Sequence, residues 1–182
     1  MSDERRETMF ARPAGQDSDL TTPGARLSGR SRTITESDLV SFAALTGDWH
    51  PQHSDAEWAA SSRFGERIAH GMLVLSYSIG LVGFDPERVV ALRGFDSVTF
   101  KRPVAIGETI RVEAEVEEAT PLDEGHELVT LRWRVLGAGD KLAVRARVQV
   151  VHRTAVEAAN GAGPEPGLTV TADGLYGDRV LL

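Results

Sequence analysis

The spacing of hydrophobic residues changes near Pro86. Downstream, Val98 and Phe100 alternate with Thr99 and Lys101, and Ile110, Val112, Ala114 and Val116 alternate with Arg111, Glu113, Glu115 and Glu117. The same holds for Val129, Leu131, Trp133 and Val135, and again for Val144, Ala146, Val148 and Val150. A period of two belongs to strands with one buried and one wet face. Turn signals separate the runs at Ala105-Ile106-Gly107, at Leu122 to Gly125 and at Gly137 to Asp140. The pattern predicts an antiparallel sheet with one apolar face.

Upstream, the period is helical. After a strand over Arg26 to Ile34, Thr35-Glu36-Ser37-Asp38 reads as a capping box. The helix it opens places Leu39, Phe42, Ala43 and Thr46 on one face. Ser54-Asp55-Ala56-Glu57 signals a second, short helix through Ala59 and Ala60 that stops near Phe64-Gly65. A third begins near His70-Gly71 and reads MLVLSYSIGLVGF, apolar nearly all round, the pattern of a helix buried on every side. An apolar sheet face and an apolar helix need each other. The expected architecture is α+β, a curved antiparallel sheet wrapped around a central buried helix, which is the hotdog fold. Residues 1–24 and 154–182 are polar and rich in Gly and Pro. They are expected to be a mobile arm and a largely irregular tail around a domain spanning 25–153.

Composition removes several function classes. A net charge of −7 and a pI of about 5.2 argue against a nucleic-acid footprint. Absence of cysteine excludes disulfides, thiolate chemistry and Cys-type zinc sites. The N-terminus carries no apolar signal region, and no run spans a bilayer, so a cytoplasmic protein is expected.

The stretch from Thr46 to Leu73 concentrates the titratable chemistry, with His50, His53 and His70 of the five histidines beside Asp48 and Asp55. Asp48 and His53 stand five residues apart in what reads as a loop between helices, where both side chains can turn to one point. Gly71 opens the apolar helix, where free N–H groups and the dipole favour negative charge. Two histidines and an aspartate within His50 to Asp55 also permit a metal reading, but the i, i+4 helical spacing is missing, so no metal is expected.

Ala44-Leu45-Thr46-Gly47-Asp48-Trp49-His50-Pro51-Gln52-His53-Ser54-Asp55, then Phe64-Gly65-Glu66-Arg67-Ile68-Ala69-His70-Gly71-Met72, resembles the signature of the MaoC-like, R-specific enoyl-CoA hydratases. Phe100 to Val104 followed by Gly107-Glu108-Thr109 is similar to that family's strand-turn segment, and the resemblance covers about 25–153. It implies reversible hydration of a trans-2-enoyl-CoA to an R-3-hydroxyacyl-CoA without cofactor. Asp48 and His53 would be the water-activating pair and the Gly71 N–H the oxyanion donor. It also implies at least a homodimer. The chain departs from the signature at His50, where the family usually has Asn; His50 is read either as a wall of the site or as a loop-structuring residue. His70 is read as holding the turn before the helix and is kept with His50 as a substrate-binding candidate. Because CoA carries phosphates, Arg63, Arg67, Lys101 and Arg102 are candidates to bind it. Two rivals share the fold: an acyl-CoA thioesterase, against which the lack of Asp or Glu on the helix before Asp85 weighs, and a non-catalytic acyl-CoA-binding homologue.

Overall fold

A computed structural model describes residues 20–154. The expected arm over 1–19 and the tail over 155–182 lie outside the described residues. Within them, β1 (Arg26–Thr33) leads to α1 (Glu36–Thr46), α2 (Pro51–Ser54), α3 (Ala56–Ser61) and α4 (Gly71–Leu81). Then come β2 (Val89–Phe100), β3 (Thr109–Pro121), β4 (His126–Leu136) and β5 (Leu142–Arg153). The strands form one antiparallel sheet in the order β1-β3-β4-β5-β2. Its apolar face, with Val112, Val116, Leu131, Trp133 and Val148, packs with Leu73, Val74 and Leu75 of α4 into one core. This is the hotdog fold.

Alternation explains β3, β4 and β5. Their outward residues form a ladder of opposite charges: Arg132 pairs with Glu115 and Glu117, Arg134 with Glu113, and Arg147 with Glu117 and Glu118. The capping box forms as expected: the Thr35 hydroxyl accepts from Asp38 N–H at 3.3 Å, and Thr35 N–H donates to Asp38 Oδ2 at 2.8 Å. Asp38 also accepts from the Tyr77 hydroxyl of α4 and from Arg32 of β1, each at 2.7 Å. Burial pushes this carboxyl upward, but the hydrogen bonds from Tyr77, Thr35 and Arg32 outweigh it and hold it at about 2. The ionised Asp38 therefore clamps sheet, first helix and central helix together.

Four expectations change. Residues 20–24, assigned to the arm, form a turn on β3: Leu20 is buried and Gly24 N–H donates to Val116 O at 2.8 Å. The helix opened by Ser54 starts one residue later with Asp55 as its cap, because the Ser54 hydroxyl bonds back to the carbonyls of Trp49 and His50. The segment holding His53 is a single helical turn, α2, rather than loop, since Pro51 at its first position presets the backbone. The central helix is not buried all round: Leu73, Val74, Leu75 and Ser78 face the core, while Met72, Ser76 and Gly80, four residues apart, lie exposed on one stripe.

Candidate active site

The site begins where α1 ends. Gly47 closes that helix in the left-handed conformation (φ 78°) and donates to Ala43 O, which turns the chain sharply into Asp48. The Asp48 carboxylate accepts from His50 N–H at 3.2 Å. Its carbonyl accepts from His70 Nε2 at 3.0 Å. His53, on α2, is buried, and its Nδ1 lies 2.7 Å from Ile68 O. The segment carrying His70 is pinned from both sides: Ile68 N–H donates to Gln52 O, and Ala69 N–H donates to Val104 O.

These bonds fix the tautomers. A carbonyl only accepts, so His53 carries its proton on Nδ1 and His70 on Nε2. His53 Nε2 is then a lone pair, 3.0 Å from the Gln52 amide nitrogen, which donates to it. His70 Nδ1 is a buried acceptor without a hydrogen-bond partner among the described residues. The two rings stack at 3.8 Å with a 25° tilt. One donor atom each from Asp48, His53 and His70 falls within 4.8 Å of the other two. Burial lowers the His53 pKa, helped by His70 and His50, while the Ile68 carbonyl and Asp48 act in the opposite sense. The imidazole is thus kept neutral near pH 7, with its Nε2 lone pair beside a carboxylate and met by the Gln52 amide.

The N-terminus of α4 opens on the same spot. His70 is its N-cap, but no side chain caps it, because the imidazole is turned to Asp48. Unpaired first-turn N–H groups of a helix of this length attract developing negative charge. A Cβ on Gly71 would lie 2.8–3.0 Å from three atoms of the Phe100 ring, so the glycine is what lets that ring close over the helix start.

A cleft of about 570 Å³ contains these groups. Asp48, Gln52, His53, His70 and Gly71 line one end, and Phe42, Phe64, Val74, Phe100 and Val144 form apolar walls. Arg63, Lys101 and Arg102 also line it. Arg63 and Lys101 are exposed, the former with its guanidinium 4.8 Å over the Phe64 ring. Arg102 is bound to Glu108, whose buried carboxylate also accepts from Ala138 N–H and Ala105 N–H, so its charge is already balanced.

Two candidates fall elsewhere. His50 does not line the cleft. It caps α2, accepting from Gln52 N–H through Nδ1 at 3.2 Å, and sets its ring edge-on against Trp58. These contacts lie with the loop and the start of α2 rather than with the cleft wall. Arg67 lies outside the cleft and pairs with Glu36 of α1 at 2.8 Å. Gln52 and Phe100, both on the cleft wall, were not singled out in the sequence. Gln52 lies inside the quoted motif and Phe100 opens the strand-turn segment, but neither residue type at its position signals a place on the cleft wall.

Comparison with known proteins follows the same lines. The profile of the MaoC like domain matches residues 19–135. The (R)-specific enoyl-CoA hydratase of Aeromonas caviae is 36% identical over 126 residues, covering 69% of this chain and 90% of that protein. Protein MaoC of Klebsiella aerogenes is 40% identical over 99 residues, 54% of this chain, and the match spans 30% of that longer protein. Among solved structures, the unliganded R-hydratase PhaJ1 of Pseudomonas aeruginosa superposes with a TM-score of 0.61 at 33% identity, over 80% of this chain and 93% of that one.

Proposed function

The chain belongs to the MaoC-like hydratase/dehydratase family, and on that premise we propose that it reversibly hydrates a trans-2-enoyl-CoA thioester to the R-3-hydroxyacyl-CoA. One observation carries the reading: Asp48 and the neutral His53 converge at the uncapped start of α4, inside a single cleft. In the proposed reaction a water takes the place of the Gln52 amide at His53 Nε2, is held between Asp48 and His53, and gives up a proton to the pair, with His53 Nε2 as the accepting lone pair. The water oxygen bonds to C3 as the C2=C3 π pair moves toward the thioester. The thioester oxygen gains enolate charge and is met by the Gly71 N–H. Collapse of the enolate takes the proton from the pair onto C2. One water adds, nothing is oxidised or reduced, and the chemistry uses neither metal nor cofactor. Bleaching of the conjugated enoyl-thioester absorbance by the purified protein tests the reading.

The CoA phosphates need positive charge at the mouth of the cleft, and Lys101 and Arg63 are better placed to supply it than Arg102, whose charge Glu108 already meets. Lys101→Ala is expected to raise KM for a CoA ester about three- to tenfold, the size of an exposed charge contact. KM for a truncated thioester lacking the nucleotide is expected to stay unchanged. Equal rises in both would refute this role.

We also propose a homodimer. Edge strand β2 exposes Val90, Leu92, Phe95 and Phe100, each 39–47% accessible, on a backbone edge open to pairing. Among the described residues no helix is long and apolar enough to cross a membrane. Sedimentation velocity should give twice the chain mass of 19.7 kDa; a species at the single-chain mass throughout the micromolar range would contradict the proposal.

A further inference from the structure

The cleft has a floor, and the floor is built. Val74 of α4 and Val144 of β5 line it, and both are almost fully buried. One helical turn beyond Val74 comes Ser78, and one inward-facing position beyond Val144 comes Ala146, whose partner across the ladder is Trp133 of β4. Neither Ser78, Ala146 nor Trp133 lines the cleft. Ser78 and Trp133 are fully buried, and the indole Nε1–H donates to the Ser78 hydroxyl at 2.9 Å. That hydroxyl in turn donates to Leu75 O at 2.6 Å. Phe84 stacks against the indole at 6.1 Å and 29°. The layer behind the cleft is therefore closed from helix to sheet by an aromatic plug with satisfied polar atoms.

We propose that this plug makes the protein selective for short linear acyl chains, of about four to six carbons. The inference rests on the hydratase reading above, with the thioester oxygen at Gly71. A helix rises about 1.5 Å per residue, so Val74 stands roughly 4.5 Å and Ser78 roughly 10.5 Å along α4 from Gly71. Van der Waals contact with the plug takes up about 3.5–4 Å of that span. An extended alkyl chain advances about 1.25 Å per carbon, from the ordinary C–C bond length and tetrahedral angle. The remaining roughly 6.5 Å holds about five carbons beyond the carbonyl. A longer tail meets the indole, which cannot turn aside without giving up both its hydrogen bond and its stacking on Phe84.

The test is kcat/KM of the full chain on trans-2-enoyl-CoA esters of four, six, eight, ten and twelve carbons. The four- and six-carbon esters should be fastest, with at least a tenfold fall by ten carbons. Trp133→Phe, which keeps an aromatic ring for Phe84 but drops the N–H and shortens the plug, should move the fall to longer chains relative to the four-carbon ester. Circular dichroism would show whether that variant folds. Wild-type rates that stay level or rise to twelve carbons would overturn the inference whatever the variant does. A folded Trp133→Phe with an unchanged chain-length profile would overturn the assignment to Trp133. Hydration of no ester of any length would instead refute the hydratase reading on which the inference stands.

Discussion

Asp48→Asn is expected to lower kcat for enoyl-CoA hydration by about 10²- to 10⁴-fold, the usual range for removing a positioned acid–base group. The loss should be chemical rather than structural. An asparagine carbonyl still accepts from His50 N–H, and the bond from His70 goes to the backbone carbonyl, which the substitution leaves in place. The melting temperature should therefore move little. His53→Gln should cost a similar factor, and the double variant little more than either single one, because groups that act as a unit are not additive. The pH profile carries the sign of the His53 environment. His53 must be neutral to accept a proton, and burial lowers its pKa from 6.5. The acid limb of kcat/KM should therefore lie below 6.5, with activity lost only as the pH falls through that lowered value. An acid limb above 6.5, or an Asp48→Asn enzyme within threefold of wild type, would contradict the pair.

Trp133→Ala should destabilise the fold by about 3–5 kcal/mol, the range for emptying a fully buried large aromatic site. Three losses combine there: the packed volume, the stack on Phe84 and the donor to Ser78. The Ser78 hydroxyl keeps its own acceptor, Leu75 O, so no donor is stranded and the cost stays within the cavity range. Urea unfolding followed by circular dichroism measures it. A change under 1 kcal/mol would mean that the core around the central helix collapses freely, and that the cleft has no fixed floor.

Much of this molecule is legible in its residues, and the places where it is not have physical causes. The strands β3, β4 and β5 alternate cleanly because each buries one face against α4. Strand β2 shows its alternation only from Val98 onward, although it begins at Val89. Three register shifts, between Val89 and Ala91, Leu92 and Gly94, and Asp96 and Thr99, break its period of two. A single helical turn such as α2 is too short to show any period; Pro51 is its one local signal. The central helix read as buried all round because Met72, Ser76 and Gly80 are small or apolar, yet that stripe faces outward in the single chain.

The site divides in the same way. Asp48, His53 and Gly71 are nominated by the resemblance of the long combined motif to the MaoC-like signature; a five-residue Asp-to-His spacing alone carries no such meaning, and a glycine at a helix start only supports the assignment. His70, expected to hold the turn before the helix and kept as a substrate-binding candidate, both bonds to Asp48 O and lines the cleft. Long-range partners were out of reach. Nothing near Arg67 announces Glu36 of α1, 31 residues away. Gln52 became visible only when the turn of α2 brought its amide to His53 Nε2.

The most direct test of the central claim is to mix the purified full chain with the four-carbon trans-2-enoyl-CoA, follow the conjugated enoyl-thioester absorbance, and resolve the product on a chiral phase. The account predicts bleaching that depends on enzyme concentration, release of no free thiol, and a single R-3-hydroxyacyl-CoA product. Unchanged absorbance would contradict it, as would thiol release in place of hydration, which would make the protein a thioesterase on the same fold.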